Sequence, residues 1–115
     1  MRRGDIYMVD LEPTLGSEAN KIRPALIVSN NGANQSVESH RRGVVTVVPL
    51  TSNTSRVLSF QVFLGADECR LPKDSKAQCE QLRAVAPERV LHKVGAVPRR
   101  RMAEVDAALR RHLAL

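Results

Sequence analysis

At 115 residues, with 43% hydrophobic and 26% charged residues, the chain has the size and composition of one folded domain spanning residues 1–115, too short for a separate cofactor domain. A formal net charge of +6 favours polyanionic partners: nucleic acid, an anionic membrane surface or an acidic protein. The chain holds one Tyr, two Phe and no Trp, which argues against binding single strands by stacking bases on an aromatic platform.

The N-terminal residues reach Asp5 before any long apolar stretch, so the sequence predicts no signal peptide. No segment approaches the roughly 20 apolar residues of a membrane helix. We therefore expect a cytoplasmic protein without membrane association, in which Cys69 and Cys79 stay reduced and pack as ordinary side chains. Because these cysteines have neither C-x-x-C spacing nor a histidine in register, no metal site and no cofactor are expected.

Residues 5–11 form a short run of β-favouring side chains that predicts the first strand. Residues 12–21 contain several turn-forming residues and predict a loop. Pro24 opens the next strand, "PALIV", where proline loses no ladder bond that the strand needs. Four consecutive apolar residues in this run indicate burial on both faces of a sheet.

Residues 30–43 are polar and turn-forming, which predicts a long and poorly ordered loop. The run "VVTVVPL" at residues 44–50 is rich in β-branched side chains and predicts a core strand, with Pro49 near its exit. This strand delivers residues 51–56 to the surface. Residues 60–64 alternate apolar and polar side chains, as a half-buried strand does.

Residues 65–74 predict another loop, and residues 75–85 predict a strand. The polar side chains in that strand suggest the wall of a site; they are Gln78, Glu80, Gln81 and Arg83. Pro87 opens a predicted helical turn, and residues 92–97 predict a last short strand.

From Pro98 onward the apolar spacing changes to that of a helix face, with Met102, Val105, Leu109 and Leu113 at i, i+3, i+7 and i+11. Asp106 and Arg110 are spaced to pair along this helix, and the arginines near its two ends are interpreted as a solvated face. Five or six short strands and one terminal amphipathic helix predict a mainly β (α+β) fold: a small, strongly curved antiparallel sheet or barrel.

The sequence contains no glycine-rich phosphate loop, no G-x-S-x-G motif and no histidine-rich ligand set. His40, His92 and His112 have no motif around them, so structural roles are expected for all three. A histidine-based nuclease mechanism is therefore not predicted.

Charged and hydroxyl side chains at three strand ends are the remaining candidates for chemistry: Glu18 with Arg23, Thr51 with Ser52, and Glu80 with Arg83. Arginine presents a planar fork that matches phosphate oxygens, threonine a short hydroxyl donor, and glutamate a proton acceptor. If the strands are neighbours, these groups could cleave RNA without a metal. A structural alternative stays open, in which Arg23 is a surface cation paired with Glu18 and Thr51 is a turn hydroxyl.

Four segments, taken in order, resemble the MazF/PemK family of bacterial toxins: "RRGDIYMVDLEPTLGSEANKIRPALIVSNN", "VVPLTSN", "CEQLRAV" and "MAEVDAALRRHLAL". The resemblance implies an SH3-like barrel that forms a homodimer. It further implies sequence-specific, metal-independent cleavage of single-stranded RNA, leaving a 2′,3′-cyclic phosphate and a 5′-hydroxyl. Its implied partner is a cognate MazE-like antitoxin whose acidic, disordered tail occupies the RNA groove.

By matching positions, the resemblance assigns the family's essential arginine to Arg23 and its essential threonine to Thr51. Because guanidinium groups do not deprotonate in proteins, Arg23 is expected to stabilise the phosphorane while Thr51 positions the phosphate. Glu18 and Glu80 are both candidate general bases, and the choice between them stays open. The expected substrate-binding residues are Ser52, Asn53, Gln81, Arg83 and Lys21.

The chain departs from the family pattern at two places. Ser17 stands where some members have a histidine, and Gln78 where some have an arginine. A different class of function also remains open, since the similar barrel of the CcdB family inhibits DNA gyrase without cutting RNA. A third alternative is a barrel that binds RNA passively, which would keep the positive charge without needing the pairing of Arg23 with Thr51.

Overall fold

Seven antiparallel strands form one sheet in the computed structural model, which describes all residues 1–115. The strands are β1 (Asp5–Asp10), β2 (Ile22–Ile27), β3 (Val45–Thr51), β4 (Gln61–Leu64), β5 (Ser75–Gln78), β6 (Arg83–Val85) and β7 (Val90–Ala96). The helices are α1 (Asn31–His40), α2 (Ala66–Cys69) and α3 (Arg99–Leu113). Single 3₁₀ turns occupy Cys79–Gln81 and Pro87–Arg89, the second of which confirms the helical turn predicted at Pro87.

Strand β3 is the centre of the sheet, whose order is β4-β5-β3-β2-β1-β7. One edge of β3 pairs with β2, and its other edge pairs first with β6 and then with β5. β4 and β7 lie at the two ends of this order and do not pair with each other. The predicted fold class, mainly β with an antiparallel sheet and a C-terminal helix, is therefore confirmed.

Both faces of the two central strands are buried. On β2, Leu26 belongs to the larger apolar cluster, which also receives Val105 of α3, while Ala25 and Ile27 belong to a smaller cluster on the other face. Strand β3 alternates in the same way, with Val48 in the larger cluster. This two-sided burial explains why both strands read as continuous apolar runs rather than as alternating ones.

The long loop expected at residues 30–43 is instead mostly helix α1. Asn30 caps the helix, because its side chain accepts a hydrogen bond from the Ala33 N–H at 2.8 Å. Asn34 and Val37 are the buried residues of the helix. Since only one of these two is apolar, the helical face carries almost no hydrophobic periodicity, which is why the sequence pattern indicates a loop.

The strand expected at residues 75–85 is interrupted by the 3₁₀ turn Cys79–Gln81. The turn divides it into β5 and β6, which pair with different parts of β3. The loop expected at residues 65–74 also contains the short helix α2.

Strand β2 begins at Ile22, two residues earlier than expected, so Pro24 lies inside the strand and Arg23 belongs to it. Helix α3 is confirmed, but Asp106 does not pair with Arg110: its Oδ1 lies 2.7 Å from Nη2 of Arg3. No helix of the chain is both long and apolar enough to span a membrane.

The segment after α2 packs directly on strand β7. A Cβ atom added to Gly95 would lie 2.3 Å from the carbonyl oxygen of Cys69, so only glycine allows this approach of two backbones. Glu68 of α2 ties the same segment to α3, since its carboxylate lies 3.0 Å from both Arg100 and Arg101. These contacts fix the position of the residues that lead into β5.

The ion pairs of Glu68 predict a pH-dependent stability. The Gly65 N–H and the two arginines lower the pKa of this carboxyl below its usual 4.5, so the stabilisation is present above pH 4.5 and is lost as the pH falls through the lower folded value. We expect Glu68→Gln to melt at a lower temperature than the parent chain at pH 7, with the difference shrinking below pH 4.5. Thermal unfolding followed by circular dichroism measures this difference.

Asp67→Asn is the matched control, because this neighbouring carboxylate on α2 is exposed and forms no ion pair. Its melting temperature should track that of the parent chain at every pH. If Glu68→Gln lowers the melting temperature by the same amount from pH 7 to pH 3, the carboxylate charge is not what stabilises this contact.

Candidate active site

The pairing of β2 with β3 brings Arg23 and Thr51 opposite each other. The last pair in the ladder is Ala25 with Pro49, and continuing the antiparallel register by two residues sets Arg23 against Thr51. Pro24 has no backbone N–H for the next ladder bond, so the hydrogen-bonded pairing of β2 with β3 ends at this point. Two side chains 28 positions apart in sequence therefore face one gap.

The gap is a cleft of about 300 Å³, which we call the Arg23 cleft. Its walls are the start of β2, the end of β3 and the segment that leads into β5. The lining residues are Arg23, Pro24, Leu50, Thr51, Ser52, Leu71, Pro72, Lys73 and Ser75. Two of them are cations and none is Asp, Glu or His, so the cleft is suited to an anion that accepts hydrogen bonds.

Part of the Arg23 guanidinium is used to hold it in place. Nε donates to the carbonyl oxygen of Asn20 at 2.6 Å, and Nη2 donates to Oδ1 of the same residue at 3.2 Å. Nη1 makes no hydrogen bond with the protein, and Glu18 forms no ion pair with this side chain. The structural alternative of an Arg23–Glu18 pair is therefore wrong, and the half-buried guanidinium keeps N–H groups free for a ligand.

The Thr51 hydroxyl oxygen accepts a hydrogen bond from the Asn53 N–H at 3.2 Å, which leaves its own hydrogen free to donate. Oδ1 of Asn53 accepts from both the N–H and the hydroxyl of Ser55, so this side chain shapes the turn after β3. Thr51 is thus a turn hydroxyl and a cleft residue at once. Ser52 is exposed beside it on the same wall.

The third group of candidates lines a second cleft, of about 320 Å³, which we call the Glu18 cleft. Its lining residues are Glu18, Ala19, Glu80, Gln81, Leu82 and Arg83. The side chains expected to converge on one site are therefore divided between two clefts, with Arg23 and the hydroxyls in one, and both carboxylates together with Arg83 in the other.

The loop between β1 and β2 connects the two clefts. Gln81 holds it from below, donating from Nε2 to the Ser17 carbonyl and accepting at Oε1 from the Ala19 N–H, both at 3.0 Å. The adjacent Asn20 holds Arg23. Gln81, which was expected to bind substrate, therefore holds the loop in place. Asn20 of the same loop orients the Arg23 guanidinium.

The two candidate bases differ in accessibility. Glu18 is exposed, and only its Oε1 is engaged, by the Leu15 N–H at 2.5 Å. Glu80 accepts at Oε2 from Nε2 of Gln61 at 2.7 Å, while its Oε1 is shielded from solvent and has no partner. Glu18 is therefore the carboxylate with an oxygen free to meet a substrate.

The other predicted binding residues lie at the margins. Arg83 lines the Glu18 cleft and donates from Nη1 to the Leu11 carbonyl at 3.1 Å. Lys21 and Asn53 are exposed and line neither cleft. The backbone of Lys21 has a φ of +67°, and its N–H and carbonyl close the β1–β2 loop by bonding to Glu12 and Leu11.

Two lining residues of the Arg23 cleft, Lys73 and Ser75, are missing from the predicted set. The signal that could have found them is "KDS" at the entrance of β5, a cation and a hydroxyl at a strand end, as in the predicted groups. Local sequence does not show that β5 pairs beside Thr51, whose partner in the register is Lys76.

The cysteines carry no reactive thiolate. Burial, reinforced by the charge of Glu80, raises the pKa of the Cys79 thiol to about 12, and burial raises that of Cys69 to about 11. Both side chains are buried and unpaired, as expected for packing residues. No group of three or more His, Cys, Asp or Glu residues lies close enough together to hold a metal ion.

The anchoring role of Gln81 is testable. Gln81→Ala removes both hydrogen bonds to the loop, which should make its opening easier by about 1–2 kcal/mol and speed exchange of the Ala19 amide roughly 5- to 30-fold. Hydrogen exchange read by NMR measures this rate. Gln78→Ala is the control, because Oε1 of this nearby glutamine has no partner. If the Ala19 amide exchanges at the same rate in the Gln81→Ala variant and in the parent chain, Gln81 does not anchor the loop.

Comparison with known proteins identifies relatives along the whole chain. The chain is 51% identical over 115 residues to endoribonuclease MazF9 of Mycobacterium tuberculosis, covering 100% of this chain and 98% of that protein. It is 32% identical over 110 residues to endoribonuclease MazF of Staphylococcus epidermidis, covering 95% of this chain and 88% of that protein.

Solved structures share the fold. MazF from Deinococcus radiodurans superposes with a TM-score of 0.83 at 22% identity, covering 100% of this chain and 97% of that one. A mycobacterial endoribonuclease in complex with its cognate antitoxin gives 0.77 at 26% identity, covering 100% and 96%. A family model described as PemK-like, MazF-like toxin of type II toxin-antitoxin system matches residues 2–113. The chain therefore belongs to the PemK-like, MazF-like toxin family of type II toxin–antitoxin systems.

Proposed function

We propose that the chain is an endoribonuclease toxin that cleaves single-stranded RNA in the Arg23 cleft. The observation that carries the proposal is the register of β2 and β3, which sets Arg23 against Thr51 across a cleft without carboxylates. Curated relatives named endoribonuclease support the choice of RNA as substrate. The net charge of +6 fits a polyanionic substrate.

In the proposed reaction the ribose 2′-oxygen attacks the adjacent phosphorus, and the bond from phosphorus to the 5′-oxygen breaks. The products are a 2′,3′-cyclic phosphate and a 5′-hydroxyl; the leaving 5′-oxygen takes its proton from water, and no metal takes part. The free N–H groups of Arg23 stabilise the charge that develops on the phosphoryl oxygens. The Thr51 hydroxyl donates a hydrogen bond that positions the same phosphate, and Ser52 stands beside it on the cleft wall.

Glu18 is the better of the two candidate bases for the 2′-hydroxyl proton. Its Oε2 is free and the side chain is exposed, whereas Glu80 has one oxygen bonded to Gln61 and the other shielded. The loop that carries Glu18 also carries Asn20, the anchor of Arg23. Glu80, with Gln61, then supports the floor of the Glu18 cleft rather than transferring a proton.

A cognate antitoxin and a second copy of the chain are the proposed protein partners. A related mycobacterial endoribonuclease has been solved with its antitoxin. We expect a MazE-like antitoxin to neutralise this chain with an acidic, disordered tail whose carboxylates compete with RNA phosphates for the Arg23 cleft. The expected assembly of the toxin itself is a homodimer.

The proposal predicts that the purified chain cuts long single-stranded RNA in the presence of EDTA. Arg23→Ala should lower the cleavage rate at least about 100-fold, since it removes donors aimed at the developing charge. Arg70→Ala is the control, because this exposed arginine lines neither cleft. Replacing the 2′-hydroxyl at the cut site with hydrogen should stop cleavage.

Three outcomes would overturn this account. If the Arg23→Ala variant cleaves at the rate of the parent chain, the active site is not the Arg23 cleft. If the 2′-deoxy substrate is cleaved, the reaction does not proceed through a 2′,3′-cyclic phosphate. If the parent chain leaves a varied RNA pool intact but inhibits DNA gyrase, the chain acts as a gyrase poison instead.

The assignment of the base is tested by comparing two isosteric variants. We expect Glu18→Gln to lower kcat by roughly 100-fold or more, the usual scale for losing a general base, while Glu80→Gln keeps kcat within about threefold. Single-turnover cleavage of one RNA substrate measures both. The reverse pattern, a slow Glu80→Gln and a fast Glu18→Gln, would assign the proton transfer to Glu80.

A further inference from the structure

The Arg23 cleft contains a second cation whose role the preceding mechanism does not use. Lys73 lines the cleft, is exposed and forms no ion pair. The neighbouring carboxylate of Asp74 forms no ion pair with it, and its Oδ1 instead accepts a hydrogen bond from the Ala66 N–H at 2.8 Å. A cleft with two cations and no carboxylate in its lining carries an excess of positive charge that a ligand must balance.

The backbone under Lys73 is fixed on both sides. The buried Ser75 donates from its hydroxyl to the Lys73 carbonyl at 3.2 Å, and Asp74 is bonded to the start of α2. Leu71, two residues before Lys73, is buried in the larger apolar cluster and donates from its N–H to the Ala66 carbonyl at 2.9 Å. The ammonium group therefore extends from a fixed point at the cleft wall.

The sheet order places Lys73 and Arg23 on opposite sides of β3. β3 pairs with β2 on one edge and with β5 on the other, and Thr51 is paired with Lys76 of β5. The strand that carries Arg23 and the segment that leads into β5 are therefore two strand spacings apart, about 10 Å. An RNA backbone that crosses the end of β3 would present different phosphates to the two cations.

We infer that Lys73 binds the RNA phosphate next to the one that is cleaved and so sets substrate affinity rather than the rate of the chemical step. The inference rests on the proposed ribonuclease function and adds a second phosphate contact to it. Arg23 and Thr51 hold the reacting phosphate, while Lys73, as a flexible point charge, holds its neighbour.

Lys73→Met should raise KM about 5- to 10-fold and leave kcat within about threefold, because a contact made equally in the ground and transition states affects binding alone. The slope of log affinity against log salt concentration for a non-cleavable 2′-deoxy strand should fall by about 0.7, the value for one phosphate contact on a single strand. Lys73→Arg should keep affinity and slope close to those of the parent chain.

Lys93→Met is the control for losing one lysine charge, because this lysine lines neither cleft and pairs with Asp5 instead. A set of RNA strands with one neutral methylphosphonate at each position near the cut then locates the contact. At one position adjacent to the cut, the methylphosphonate strand and the Lys73→Met variant should each weaken RNA binding. Combining them should weaken it no further, since both changes remove the same ion pair.

Two results would overturn the role of Lys73. In the first, the losses of RNA affinity caused by Lys73→Met and by the methylphosphonate are additive at every flanking position. In the second, the salt dependence of RNA binding is unchanged in Lys73→Met, while an oligoglutamate peptide binds this variant more weakly than the parent chain. The second result would assign the lysine to an acidic protein segment. Because the parent chain is assayed for cleavage in parallel, failure of the ribonuclease proposal appears as intact RNA, separately from any effect of Lys73.

Discussion

The pairing of β2 with β3, and its end at Pro24, is the constraint on which the site depends. Antiparallel register fixes which residues face each other, and the missing N–H group of Pro24 stops the ladder at Ala25. Beyond this point Arg23 lies on one strand and Thr51 on the other, and both line the Arg23 cleft. Burial of both faces of β2 and β3 holds this geometry rigid, because a register slip would exchange side chains between two closely packed apolar clusters.

Around that gap, the molecule keeps carboxylates out of the cleft that contains Arg23. The Arg23 cleft collects Arg23, Lys73 and hydroxyl groups, while Glu18 and Glu80 lie in the neighbouring Glu18 cleft. This separation lets the guanidinium keep free donors instead of being neutralised within the protein. The β1–β2 loop lines the Glu18 cleft and holds Arg23 through Asn20. Because Gln81 anchors this loop, the proposed base and the proposed phosphate-binding cation are positioned by one segment.

Sequence patterns predict the strands and helices whose buried positions are apolar and whose exposed positions are polar. They miss elements in which polar residues are buried. Strands β2 and β3 are readable because their apolar runs match two-sided burial. Helix α1 is not readable, because its buried face is built from Asn34 and Val37 and its start depends on the Asn30 cap. The division of residues 75–85 into two strands depends on pairing with two parts of β3, which is information held in the partner strand.

The candidate site shows the same limit. Arg23 and Thr51 can be selected from their motifs, but their mutual position follows from strand register, and Lys73 joins them only through the pairing of β5 with β3. The two carboxylates can be named from the sequence as alternatives. Their ranking requires the hydrogen bonds of the fold, which engage Glu80 with Gln61 and leave one oxygen of Glu18 free.

A double-mutant cycle on RNA cleavage tests most directly whether Arg23 and Thr51 act on one phosphate. The measurement is kcat/KM for Arg23→Ala, Thr51→Ala and the double variant on one single-stranded substrate. When two residues stabilise the same transition state, the effects of substituting them are strongly non-additive. Thr51→Ala should therefore lower kcat/KM far less in the Arg23→Ala variant than in the parent chain. An equal fold loss from Thr51→Ala in both backgrounds would contradict the shared site.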